Sequence, residues 1–181
     1  TAMFRFSGQL DLDSFEDDVH IVDLTLGEVA SGGLFYAYAV GRSAYVCHNR
    51  VTVERPGGNV WEPGHTYAIY FTNGITTADG GSVARPADLV ALLGSSTPSD
   101  GAVAAHYAKY APLRQYLSDN SVDPATVVQA TVFTVGNPRH LAEQLQGVSG
   151  AAGAPTASNW TLCDSGVTSP CPDAEGPRAC G

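Results

Sequence analysis

The residues with the densest chemical potential lie near the start of the chain. Asp11, Asp13, Glu16, Asp17 and Asp18 place five carboxylates within eight positions. Clustered carboxylate oxygens suit a hard cation such as Ca²⁺, which takes six to eight oxygen ligands. The run lacks the turn glycine and distal glutamate of an EF-hand, so a solvated acidic loop or helix start is the default and calcium the sharper alternative. The five histidines, His20, His48, His65, His106 and His140, are scattered. None has the helical i, i+4 spacing or the His-x-His spacing of a metal site, so each reads as a surface or edge residue. Cys47 and His48 are neighbours, but on a strand they point to opposite faces and cannot form a dyad.

Serine chemistry has two approximate matches. Gly147-Val148-Ser149-Gly150-Ala151 lacks the last glycine of a Gly-x-Ser-x-Gly elbow and sits in a linker-like stretch. Asp164-Ser165-Gly166 sits among tail cysteines, where loop packing explains it. Neither serine reads as a nucleophile. The four cysteines, Cys47, Cys163, Cys171 and Cys180, show no Cys-x-x-Cys spacing. That disfavours zinc and thioredoxin-like redox chemistry and favours disulfides in an oxidising compartment. Three pairings are open. Joining Cys47 to a tail cysteine would close a long loop, worth about 4–5 kcal/mol on chain-entropy grounds. Tyr36, Tyr38 and Tyr70 could form a carbohydrate or partner surface, against the commoner reading that they pack at a sheet edge or under a helix. Asn159-Trp160-Thr161 is a formal glycosylation sequon.

The bulk properties narrow the partners. The chain has 181 residues and a formal charge of −9, with Lys109 its single lysine. No basic run offers a footprint for a phosphate backbone, which argues against nucleic acid and against an anionic membrane surface. No stretch approaches the ~18 apolar residues of a membrane span. Thr1 to Phe4 lack the features of a signal peptide, so an exported form is one whose signal has been removed. The expected location is extracytoplasmic: secreted, periplasmic or cell-surface.

These groups must be held by a mostly β framework. Val19–Leu24 alternates, with Val19, Ile21 and Asp23 on one face. Phe35–Val40, Arg50–Glu54, His65–Thr72 and Val127–Val135 are further strands, separated by Gly, Pro and Asn turns. Between the last two lies a helical excursion. Pro86 opens a helix through Leu93 and Gly94 ends it. Asp100 caps a second, whose apolar stripe is Val103, Tyr107, Tyr110, Leu113 and Leu117, with Pro112 predicting a kink or break. A last helix is expected over Pro138–Gln146. Residues 1–146 then form the domain, and residues 147–181 a Gly/Pro/Cys-rich linker and tail.

Glu62-Pro63-Gly64-His65-Thr66-Tyr67 leads through Phe71-Thr72-Asn73-Gly74 to Asp79-Gly80-Gly81. This cadence resembles bacterial immunoglobulin-like domains in which a Pro-Gly-x-Thr-Tyr turn enters a strand and a Thr-Asn-Gly…Asp-Gly hairpin follows. Tyr110–Leu117 with Val127–Thr134, and upstream Phe6-Ser7-Gly8 with Val19–Asp23, look like the N-terminal region of large secreted bacterial lipase-like proteins and lipoproteins. There the sandwich precedes an α/β-hydrolase domain. The resemblance covers about Phe4 to Val135 and implies a mainly β fold. That fold is an immunoglobulin-like β-sandwich with a helical insertion at about 86–119 and a disulfide-bearing irregular C-terminal tail. It carries over no catalytic residue, since the chain stops at Gly181 before any hydrolase segment.

Three functional expectations follow. The first is a non-catalytic module packing against an α/β-hydrolase domain or subunit, with a large apolar docking patch. The second is a free-standing surface module for glycan or protein. The third, weaker, is a small esterase. No cofactor is expected apart from calcium.

Overall fold

The computed structural model describes residues 1–57, 59–153, 156, 161–162 and 179–180, the last four through their backbone. The chain divides into two compact units, Thr1–Asn137 and Pro138–Gly181.

The first unit holds two antiparallel sheets. One is three-stranded, in the order β1 (Ala2–Arg5), β5 (Arg50–Glu54), β4 (Phe35–Ala39). The other is four-stranded, in the order β3 (Glu28–Val29), β2 (Val19–Asp23), β6 (Thr66–Thr72), β7 (Val127–Thr134). Strand alternation sends Phe4, Val51 and Val53 of the first sheet and Val19, Ile21, Ile69 and Phe71 of the second into one shared cluster. Phe71 is its centre. Its ring meets those of Phe4, Phe6 and Phe15 edge-on, at centroid separations of 4.8, 5.7 and 6.1 Å.

Three short helices, α1 (Ala87–Leu92), α2 (Gly101–Tyr107) and α3 (Ala111–Asp119), follow β6. Leu89 and Leu93 join Leu113, Tyr116 and Leu117 in a second cluster against Val22, Ala68, Tyr70 and Ala130, on the opposite face of the four-stranded sheet. β6 is therefore covered on both sides, and Tyr67 to Phe71 are all buried. The Asp100 carboxylate caps α2, accepting from Ala102 N and Val103 N at 2.8 and 3.2 Å. Pro112 lies in the first turn of α3, after a 3-10 turn over Ala108–Tyr110, so the expected break falls just before it. The expected stripe is buried only at Leu113 and Leu117, while α2 buries no residue. Arg114 fastens this region by donating to the carbonyls of Leu92 (2.7 Å) and Tyr107 (3.0 Å), its guanidinium 3.7 Å from the Tyr107 ring centre.

The second unit contains α4 (His140–Ala151) and a two-stranded ladder of β8 (Thr161–Leu162) with β9 (Ala179–Cys180). The helix expected to stop at Gln146 runs on through Gly147 to Ala151. A glycine inside a helix costs only about 1 kcal/mol and does not terminate it. The stop is Gly153, whose φ of +72° is the left-handed conformation that ends helices.

Candidate functional site

The most connected polar group in the first unit is a carboxylate that strand alternation turns inward. Asp23 ends β2 on the face of Val19 and Ile21 and is only 4% exposed. A buried carboxylate must be hydrogen-bonded to be tolerated, and this one is. Its Oδ1 accepts from Thr25 N at 2.9 Å and Leu26 N at 3.2 Å, closing the turn after β2. Its Oδ2 lies 2.7 Å from His65 Nδ1. The Tyr67 hydroxyl also hydrogen-bonds to it, and accepts in turn from Glu62 N at 3.2 Å. Thr66 N donates to the Thr25 hydroxyl at 2.8 Å, so the β2 turn and the start of β6 are tied twice.

Burial pushes the Asp23 carboxyl up, but the bonds from His65, Leu26, Thr25 and Tyr67 outweigh it and hold it below the usual carboxylate range. Burial raises the Tyr67 phenol, and the nearby Asp23 charge adds to that.

A cavity of about 220 Å³ adjoins the cluster, walled by Asp23, Glu28, Arg55, Asn59, Glu62 and Tyr67 among others. Its cation is already engaged: Arg55 donates to the carbonyls of Val60 and Ser31 and stands over the Trp61 ring at 5.4 Å. Trp61 in turn meets Tyr67 and Phe133 edge-on at 4.8 and 5.2 Å. An Asp–His pair can orient an imidazole as a general base. Here, among the described residues, no hydroxyl or thiol hydrogen-bonds to His65. The carboxylate spends its capacity on the turn, so the cluster acts as a latch between β2 and β6.

The acidic run does not assemble. Asp11 caps the 3-10 turn Leu12–Phe15, accepting from Asp13 N at 3.1 Å. Asp18 accepts from the Thr72 hydroxyl and from Gly74 N at 3.0 Å, tying the entry of β2 to the exit of β6. A Cβ on Gly74 would run into the Asp18 carboxylate and push it off this tie. Asp13, Glu16 and Asp17 stay exposed. Among the described residues no three His, Cys, Asp or Glu side chains gather where they could hold a metal. Asp11 and Asp18 spend oxygens on a local cap and on the Thr72–Gly74 tie, while Asp13, Glu16 and Asp17 face solvent separately.

The tyrosines follow the commoner of their two readings and pack against the clusters. Tyr36 points inward, its ring 5.2 Å from that of Phe15. Tyr38 also packs on the core, and its hydroxyl accepts from Leu10 N at 3.0 Å. Tyr70 is 4% exposed and stacks on His20 at 4.6 Å. Burial, with Tyr116 nearby, pushes its phenol up to about 12. None of the three offers a ligand-facing ring. Burial lowers the pKa of His20, against the opposing charges of Asp18 and Asp17.

His48, His106 and His140 are exposed, and Ser149 lies within α4. Cys47 is an exposed free thiol. Cys163, Cys171, Ser165 and the Asn159-Trp160 part of the sequon lie outside the described residues, and Cys180 is described only through its backbone. Sequence reasoning missed the Asp23–His65–Tyr67 cluster. Its signal was Asp23 in phase with Val19 and Ile21, a carboxylate on the buried period of a strand.

Compared with models of protein families, with curated proteins and with solved structures, the chain matches none.

Proposed function

We propose that the chain is a non-catalytic accessory module of a secreted bacterial hydrolase: an immunoglobulin-like sandwich that packs against an α/β-hydrolase domain or subunit. The observation that carries the docking role is an asymmetry between the two sheets. Helices cover the outer face of the four-stranded sheet. The outer face of the three-stranded sheet is open, with Met3 68% and Phe35 57% exposed. They stand on the two edge strands, β1 and β4, with Thr52 and Glu54 of β5 between them. The partner's class comes from the resemblance carried by Glu62–Gly81 and Tyr110–Thr134. That same resemblance, with the cysteine usage, favours an extracytoplasmic setting.

Two measurements test the reading together. The coding region is read past Gly181, and the purified chain is assayed on short-chain p-nitrophenyl esters. The expected result is a downstream segment bearing a Gly-x-Ser-x-Gly elbow and no turnover by residues 1–181 above the buffer blank. A stop codon directly after Gly181, or turnover abolished by Ser149→Ala or Ser165→Ala, overturns it.

A further inference from the structure

We infer that Arg5 and Arg50, side by side on the open face of the three-stranded sheet, receive carboxylates presented by a protein partner and so mark where that partner docks. The inference rests on the accessory reading above and gives the docking face its chemistry.

The ladder places the pair. Arg5 is directly opposite Arg50, and Arg50 is opposite Ala39; the adjacent row is Met3, Thr52, Ala37. Phe4, Val51 and Val53 are buried between the sheets, so alternation turns Arg5, Arg50, Met3 and Thr52 outward. Phe6 N donates to the Asn49 carbonyl at 2.9 Å. The next pair along, Arg5–Arg50, then falls at the non-hydrogen-bonded position, where opposed Cβ atoms come about 4.5–5.5 Å apart.

Like charges directly opposed across a ladder are unfavourable, and this pair is uncompensated. Among the described residues neither guanidinium is paired with a carboxylate. Arg50 Nε is buried with no hydrogen-bond partner. Arg55 Nε is buried and unpartnered too, but the terminal nitrogens set the arginines apart. Arg55, Arg85 and Arg114 each donate to two backbone carbonyls and hold loops together. In a chain of net charge −9 with eighteen acidic residues, two adjacent cations without an acid form a local positive site in an otherwise negative molecule.

The surroundings select the ligand. Guanidinium forks match carboxylates bidentately. Met3, Ala37 and Phe35 add apolar surface beside them, which suits acidic side chains set among apolar ones on a folded protein. Glu54 lies on the same face, about 13 Å along the strand from Arg50 at ~3.3 Å per residue, and would repel an extended polyanion such as a nucleic acid or polyuronate.

The test uses the full chain, ¹⁵N-labelled, with arginine Nε–H resonances assigned by their loss in Arg5→Gln and Arg50→Gln. The probes are the blocked peptide Leu-Glu-Val-Glu-Leu, its Leu-Gln-Val-Gln-Leu counterpart, and free glutarate. The expected result is saturable shifts of both Nε–H signals with the acidic peptide, at least tenfold weaker with the glutamine peptide or with glutarate. Added salt weakens the binding, and the double Arg→Gln variant abolishes it while keeping the wild-type amide spectrum. No saturable shift, or equal response to both peptides, overturns the inference. Glutarate binding as tightly as the peptide overturns it too, by making the site one for a small free carboxylate. A hydrolase segment that associates with the chain while the arginine signals stay silent removes this face and leaves the accessory reading standing. Peptide binding by a chain whose gene ends at Gly181 does the reverse.

Discussion

The two sheets share one core yet live in different environments. The four-stranded sheet is covered on both faces, by the other sheet on one side and by α1 and α3 on the other. The three-stranded sheet is covered on its inner face, and its outer face meets solvent. Their central strands show the difference. β6 is buried continuously from Tyr67 to Phe71, while β5 alternates, with Val51 and Val53 buried and Arg50, Thr52 and Glu54 half-buried. A strand packed on both faces carries stability. A strand with a polar outward row can carry recognition, since changes there leave the core intact.

That contrast predicts a gradient of mutational cost. The largest effect belongs at the centre. Phe71 is fully buried against three aromatic rings, so Phe71→Ala is expected to cost about 3–5 kcal/mol, read as a lowered urea midpoint. A loss under about 1 kcal/mol would mean that the two sheets do not share this core.

The intermediate effect belongs to the latch. Asp23→Ala removes the acceptor for two backbone N–H groups, His65 and Tyr67. It is expected to cost about 2 kcal/mol at neutral pH. The sign of its pH dependence is fixed. Because the folded Asp23 titrates below its unfolded value, its contribution is complete above about pH 4 and is lost as pH falls through the folded pKa. Urea melts of both proteins across that window should therefore converge in acid. Curves that stay parallel would remove Asp23 from the acid response.

The smallest effect belongs to the open face. Met3 is 68% exposed, so Met3→Ser should change stability by no more than about 0.5 kcal/mol. A loss several times larger would mean that this face is covered in the isolated chain, and would reverse the contrast between the sheets.

Much of this framework was written in local pattern. The alternation of Arg50-Val51-Thr52-Val53-Glu54 announces a strand with one wet face, and the near-continuous apolar run Tyr67–Phe71 one with none. Asp100 and Pro86 mark helix starts at the positions the structure uses. The end of α4 was misread because Gly147 looks like punctuation, while the backbone reserves positive φ for Gly153. The candidate site was much less legible. Asp23 and His65 are forty-two positions apart, and neither signals the other without the pairing of β2 with β6. The tyrosines were legible only in part: period two assigns Tyr36 and Tyr38 to one face but does not say which face is inward.

The sequence by itself determined the strand set, the helix starts and the acidic, lysine-poor character, because propensity, capping and charge act over a few residues. Only the tertiary structure decided which carboxylate is buried, that the acidic run disperses into local ties, and that Arg5 meets Arg50 without an acid between them. Those outcomes depend on which strand lies beside which, and that is settled by packing the core, where distant residues are brought within bonding reach.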